Sequence, residues 1–374
     1  MLQRYLAHAS ASGRHAHEHH VVSLTAPGPV GAAIEAAGVP VLGLDQRPGR
    51  PSALVPARLR RLVRELRPDI VHAWMYHANL TASLSCWGLG VPVIWGVHHS
   101  LEDPARETRA TRAVLRASVP LSRRVDAIVY CSSVSRAQHE RHGFAAGRAL
   151  VVPNGTDTAV FRPDDRVARE ARARLLDLVG LHGSPVVIGH FARAHPMKNQ
   201  GALVRATADL VARGHDVHTV IVGENQTRAE AAAEVERLGL DGAVTLLETR
   251  DDVAALVPGL DVYALPSAWG EAFPLAVGEA MAAGVACVAT NVGDSAWLVG
   301  KTGRIVPPGD EAALTAALEE MVLMGRDARS RLGARARERV EENFSLERHV
   351  AAHDRLFEAV AGGAASGSVG AAVR

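Results

Sequence analysis

The sequence predicts an α/β protein made of two Rossmann-like, doubly wound parallel-sheet domains. Three observations carry that prediction. Short β-branched runs alternate with longer amphipathic stretches along the 374 residues, the pattern of parallel strands covered by helices on both faces. The runs form two sets of six, parted by a Pro- and Asp-rich stretch after Asn154, and each set suits one doubly wound sheet. Hydrophobic residues make up 48%, which is ample for large cores.

In chain order, the first six strands are read at "HHVVSL" (19–24), "VPVLGL" (39–44), "DIVHAW" (69–74), "PVIWGVH" (92–98), "AIVYCS" (127–132) and "ALVVPN" (149–154). An Arg/Ala-rich helix (166–179) follows. The second six are "VVIGHFAR" (186–193), "HTVIVGE" (218–224), "VTLLE" (244–248), "DVYALPS" (261–267), "ACVAT" (286–290) and "GRIV" (303–306). The expected domains are residues 1–160 and 161–345. The last helices are not followed by strands, so the one at 346–362 is expected to return to the first domain. The tail, 363–374, is low in complexity and is expected to be disordered.

The formal net charge is +1, which argues against a dedicated nucleic-acid binder. Cys86, Cys131 and Cys287 are scattered without metal spacing, as in a protein of a reducing compartment. No run of 18 apolar residues is present, and "MLQRYLAHASASGRHAHEHH" lacks the apolar centre of a signal peptide. The expected location is the cytoplasm, with peripheral contact on the inner face of the membrane. The only lysines are Lys198 and Lys301.

Chemistry concentrates at "WGEAFPLAVGEA" (269–280). Eight steps of one helix would set Glu271 and Glu279 roughly 80° apart. Pro274, favoured at a first helical position, instead places Glu271 in a loop and Glu279 inside a helix from Pro274 to Ala283, ended by Gly284. The neighbours of Glu279 at i±3 and i±4 are Leu275, Ala276, Ala282 and Ala283, so its carboxylate needs a partner. The loop lies at a strand's carboxyl end and a helix N-terminus, where open parallel sheets bind ligands and backbone N–H groups favour an anion. The alternative is a solvated Glu279 with Glu271 complementing the helix dipole. "FARAHPMKNQ" (191–200) sets Arg193 and Lys198 at another strand's carboxyl end. Two cations there suit a diphosphate, unless both are solvated loop charges.

"SAWGEAFPLAVGEAMAAGVACVAT" resembles the glutamate-x7-glutamate signature of retaining glycosyltransferases of family 4. "FARAHPMKN" resembles that family's Gly-Arg-x4-Lys segment, with Ala192 in place of Gly. "VVPNGTDTAVFRP" resembles its connector and "KTGRIVPPGDEAAL" its Thr-Gly segment, while "RPDIVHAWMYHANL" and "VIWGVHHS" match its first domain more loosely. The resemblance covers nearly the whole chain. It implies a GT-B fold, with an acceptor-binding first domain, a nucleotide-sugar-binding second domain and a cleft between them. It implies transfer of a sugar with retention, from a nucleotide-diphosphate-sugar donor to a saccharide or lipid-linked acceptor, in cell-envelope or exopolysaccharide synthesis. Carried over, Glu279 holds the donor ribose and Glu271 a hydroxyl of the transferred sugar. The amides of Ala272, Phe273 and Leu275 approach the diphosphate or sugar, and Arg250 is grouped with the donor-binding residues. Arg193 and Lys198 meet charge on the leaving diphosphate. His98 matches a histidine near the reacting sugar, and His72, His77 and Asn79 are the acceptor-side candidates.

Three positions depart from the family pattern: Ala272 and Asp294 replace common glycines, and Glu248 stands where a glycine is frequent. "HAHEHH" (15–20) could bind a metal but enters a strand. "RLRRLVRELR" (58–67) could meet anionic lipid but reads better as a surface helix. His72 reads equally as a core residue. "RDD" (250–252) reads as a helix N-cap, and no metal or other cofactor is expected. The rival readings are an epimerase, a phosphorylase and a non-catalytic nucleotide-sugar binder. The family also opens with a strand and a Gly-rich loop that lead into a helix like "MLQRYLAHAS". The first domain is therefore expected to lack its central strand, with the natural chain starting roughly 15–25 residues upstream and the 374-residue form poorly soluble or nearly inactive.

Overall fold

The structure, a computed structural model, describes residues 1–11, 17–47, 49, 52–163 and 165–363. The tail beyond Gly363 and His15 of the histidine run lie outside the described residues. The chain forms two units, Met1–Gly155 with Leu346–Arg374, and Thr156–Ser345. The division falls ahead of residue 161, where the sequence placed it. Thr156 N–H donates to the Phe344 carbonyl at 2.8 Å and Thr156 bridges Ser345, which ties residues 156–160 to the second unit.

All strands of the described residues run parallel. In the first unit they are β1 (Val21–Ser23), β2 (Val41–Gly43), β3 (Val71–Trp74), β4 (Val93–Val97), β5 (Ala127–Tyr130) and β6 (Ala149–Val151). In the second they are β7 (Val186–Phe191), β8 (Val217–Val222), β9 (Val244–Leu247), β10 (Val262–Leu265), β11 (Ala286–Thr290) and β12 (Gly303–Val306). Every residue of β4, β5, β10 and β11 is buried. Strands covered on both faces need continuous apolar runs, which is what made them visible in the sequence.

The second unit is one six-stranded sheet, ordered β12-β11-β10-β7-β8-β9. Counted from its own first strand, that is the doubly wound order 3-2-1-4-5-6, with a reversal between β7 and β10. The reversal brings the carboxyl ends of β7 and β10 side by side, and with them the loops that carry Lys198 and Glu271.

The first unit is split. β1 pairs with β2 in one sheet, and β3-β4-β5-β6 form another. Among the described residues no hydrogen bond joins β1 to β3, yet the same two layers cover both. Val22 and Leu24 pack with Ala73, Val55 and Leu59 on one side. On the other, Val21 packs with Tyr5, Leu346 and Val350, while His72 stacks on His353. The order β2-β1, then β3 to β6, is a doubly wound sheet interrupted at its central position.

The helix Leu346–Ala361 belongs to this unit. Leu356 and Val360 pack on Ile94, Ala127 and Val129, and His349 Nδ1 lies 2.8 Å from the Pro153 carbonyl.

Candidate functional site

In the second unit, three loops converge at the carboxyl ends of β7, β10 and β11. The chain after β7 turns through a short helical segment, Pro196–Lys198, that is capped by His195 Nδ1 accepting from Met197 N–H. The Ala268 N–H then donates to the Met197 carbonyl at 2.8 Å, which fastens the loop after β10 to the one after β7. Gly270 has φ +79°, and a β-carbon there would lie 2.3 Å from Met197 Sδ. Gly293, φ +60°, comes so near the Glu271 and Ala272 carbonyls that a β-carbon would be 2.4 Å and 2.5 Å away. Only glycine permits either approach.

This packing buries Glu271, leaving it 7% exposed, and decides its partners. One oxygen, Oε1, accepts from Lys198 Nζ at 2.6 Å and from Ser267 Oγ at 2.7 Å. A buried carboxylate with a cation and a hydroxyl is compensated, whereas removal of either partner strands a charge. Among the described residues no protein group donates to Oε2. Below the pair, burial holds His190 down to about 4, its Nδ1 bond to the Ala264 carbonyl opposes this, and Lys198 pushes it further down. Burial likewise pushes the Tyr263 hydroxyl well up, with Glu279 and Glu271 adding to it. Tyr263 thus senses both glutamates.

The helix Leu275–Ala282 starts one residue later than the sequence suggested. Pro274 is its N-cap, extended at φ −76° and ψ 99°, rather than its first helical residue. Its side chain makes no cap bond, so the N-terminal amides stay open. The N–H groups of Ala272, Phe273 and Leu275 donate to no protein acceptor among the described residues. Open amides at a helix N-terminus beside a lysine attract an anion. Glu279 is half-buried on this helix, more than a turn from the open amides. Arg193 is exposed, and its guanidinium has no ion-pair partner among the described residues, although Gln200 Nε2 holds its carbonyl at 3.0 Å.

Two sequence-based assignments are corrected here. Arg250 is not open to a ligand: it forms a two-point pair with Asp252 at 2.7 Å and 2.9 Å. Asp252 occupies an N-cap position but does not cap, because its carboxylate serves Arg250 and Arg174. Glu248 is also engaged, accepting from the N–H groups of Asn225 at 2.8 Å and Thr227 at 3.1 Å, which fixes the loop after β8.

In the first unit, His98 follows β4 and stacks on Trp74, with ring centres 4.5 Å apart and planes within 5°. Its Nδ1 lies 3.0 Å from Asn154 Oδ1, a contact that needs the Nδ1–H tautomer. Burial holds its pKa down to about 3, so the ring is neutral near pH 7 with Nε2 unpartnered. His77 is exposed on the first turn of the helix Tyr76–Cys86. Asn79 and His72 turn inward instead. Asn79 is 1% exposed and its amide lies 3.3 Å from the Gly96 carbonyl, so it holds backbone at the ends of β3 and β4 rather than facing an acceptor. His72 is stacked against His353, with burial as the main cause of a pKa far below the usual histidine range. His17 lies 3.8 Å from Asp354 and His20 3.1 Å from Glu18, and no group among the described residues has the geometry to hold a metal.

Sequence reasoning missed Ser267, His190 and Trp74. A Ser four positions before Glu271, closing a strand, was the available signal for the first. The other two resemble ordinary buried strand residues.

Comparison with known proteins covers both units. Residues 3–160 match the model described as Glycosyltransferase Family 4, and residues 185–324 the model described as Glycosyl transferases group 1. A D-inositol 3-phosphate glycosyltransferase of Rhodococcus jostii is 31% identical over 334 residues, covering 82% of this chain and 71% of that protein. EpsF of Bacillus subtilis is 31% identical over 144 residues, which span only 36% of its length. The crystal structure of Anabaena Alr3699/HepE in complex with UDP superposes with a TM-score of 0.80 at 22% identity, covering 93% of this chain and 94% of that one.

Proposed function

The chain belongs to the glycosyltransferases of family 4 and group 1, with the GT-B fold, and from that membership we propose that it moves a sugar from a nucleotide-diphosphate-sugar donor to a saccharide or lipid-linked acceptor, with retention and without a metal. The observation that carries this reading is the Glu271–Lys198 pair beside three open amides at the point where the second sheet reverses. The UDP-bound relative supports a nucleoside-diphosphate donor.

The chemistry follows from the groups present. The diphosphate lies on the Ala272, Phe273 and Leu275 amides, within reach of Lys198 and Arg193. Charge on it grows as the bond from the anomeric carbon to the phosphate oxygen breaks, so fixed cations stabilise the transition state more than the ground state. Glu271 Oε2 accepts from a sugar hydroxyl, while Oε1 stays with Lys198 and Ser267. Glu279 accepts from the ribose diol. Neutral His98 accepts from a sugar or acceptor hydroxyl through Nε2. Both glutamates are used in binding, so neither is a nucleophile. The acceptor oxygen attacks from the face that the leaving phosphate vacates, and its proton passes to that phosphate. Cell-envelope or exopolysaccharide synthesis, and contact with a membrane when the acceptor is lipid-linked, belong to the same reading.

A second reading is a relative that binds the donor without transferring it, and the interrupted first sheet favours it. One experiment separates the two. A thermal-shift panel of nucleoside diphosphates and their sugars, run with chelator, should show stabilisation of about 2.7 kcal/mol at 100 times the Kd of the matching donor. Donor hydrolysis or transfer in the same tubes supports the enzyme. Stabilisation without turnover supports the binder, and no stabilisation overturns both. Glu279→Ala should weaken the bare nucleoside diphosphate, whereas Glu271→Ala should spare it and impair turnover of the full donor.

A further inference from the structure

Three helices cover one face of the first unit: Leu54–Leu66, Tyr76–Cys86 and Arg109–Leu121. Where the second ends, Trp87 is 54% exposed, and Leu84, one turn earlier, is 47% exposed. Two guanidinium groups lie beside Trp87. Arg60 Nη1 donates to the carbonyls of Ser85 at 2.9 Å and Trp87 at 2.7 Å. Arg124 lies 4.4 Å over the Trp87 ring. Arg64 continues the Arg60 stripe at i+4, and Arg67 follows as the left-handed cap of the same helix at φ 49°; both are exposed.

Carboxylates do little to neutralise this patch. Glu65 is paired with Arg61 at 2.7 Å, and Asp126 accepts from the Val93 N–H at 2.8 Å. Asp69 is exposed near the end of the stripe and offsets one charge. An isolated surface Trp or Leu needs no explanation. Here a Trp and a Leu share one helix end, and fixed arginines on two other elements converge on it.

We propose that this face docks on an anionic membrane surface, with Trp87 and Leu84 entering the headgroup layer and Arg60, Arg64, Arg67 and Arg124 pairing with lipid phosphates. Indole rings settle at headgroup depth because one edge is polar and the body apolar. Guanidinium groups pair phosphates at two points while their stems lie along apolar surface. Anionic lipid attracts each arginine within a Debye length. The proposal is separate from the acceptor reading, because Arg67, Trp87 and Arg124 lie at the amino ends of β3, β4 and β5, whereas His77 and His98 follow the carboxyl ends of β3 and β4. Its test reads membrane binding alone, so its failure leaves transfer to a soluble acceptor untouched.

The test is flotation of the full chain with vesicles of phosphatidylcholine, alone or mixed with phosphatidylglycerol, and a parallel arm with soluble polyglutamate. Binding should require phosphatidylglycerol and fall as salt rises. The Arg64→Gln/Arg124→Gln double variant should weaken it about tenfold or more, and Leu84→Ser/Trp87→Ser should remove most of what remains. These side chains are exposed, so unchanged melting temperatures certify the fold. The proposal is overturned if wild-type protein ignores the mixed vesicles, if the folded variants bind as wild type does, or if the chain binds polyglutamate but not vesicles.

Discussion

At Glu271 a single oxygen serves two donors, and the two are not equivalent. Lys198 brings charge; Ser267, fully buried, brings direction. Ser267→Ala removes a hydrogen bond to an ionised group, a loss of about 1.5–3 kcal/mol. Turnover should fall about tenfold or more with bare-diphosphate binding unchanged; an equal loss of both would show that Ser267 shapes the whole pocket. The two cations should also part company. Lys198→Ala leaves a buried carboxylate without its counter-charge, at a cost of about 3–5 kcal/mol, so melting temperature and kcat should both drop. Arg193 is exposed and unpaired by acid, so Arg193→Ala should lower kcat alone. The double variant Lys198→Ala/Glu271→Gln should regain stability without regaining rate, and calorimetry beside single-turnover assays would show it. Glu271 and Lys198 were legible because the type and spacing of residues around them are unusual. Ser267 was not, since its role exists only once the loop folds back onto Lys198.

The strands were legible for a simple reason: a parallel strand buried on both faces must be apolar at every position, and β4 and β10 are. The helix Leu346–Ala361 carries a feature that periodicity did not show. Its His353 lies 4.4 Å from His349 and stacks on His72 and Trp74, and Trp74 stacks in turn on His98. Burial holds all four histidines below the ordinary value, His98 down to about 3, and neighbouring histidines lower His72, His98 and His349 further, while the His349 carbonyl raises His353. Asp354 raises His353 as well. Because these folded-state pKa values are depressed, the unfolded chain takes up protons first as pH falls below 6.5. Stability should be full above that pH and decline through the acid range down to about 3. Melting curves from pH 7 to pH 4, taken at roughly constant ionic strength, would trace this limb. The His353→Phe variant keeps the ring stack and removes one titrating group, so its acid limb should be shallower. An unchanged limb would place the acid sensitivity elsewhere.

On the scale of the whole molecule, the two units share a sheet plan but differ in continuity. An unbroken order in the second was readable from six well-spaced runs. In the first, β1 pairs with β2 and is not hydrogen-bonded to β3, and this pairing could not be read, because register depends on partners distant in sequence. A two-stranded sheet with three residue pairs is marginal by itself. Amides of β1 and β2 should therefore exchange with solvent well before those of β4 and β5, and uniform protection across the unit would contradict the split. The chain also has only two ε-amino groups, Lys198 and the exposed Lys301. Lys198 is 16% exposed and locked to Glu271, so an acylating reagent should modify Lys301 quickly and Lys198 slowly. Two peptides in one mass spectrum then contain a reporter and its internal clock. The lag between them measures how often the ion pair opens, and a nucleoside diphosphate that captures Lys198 would lengthen that lag without any assay of sugar transfer.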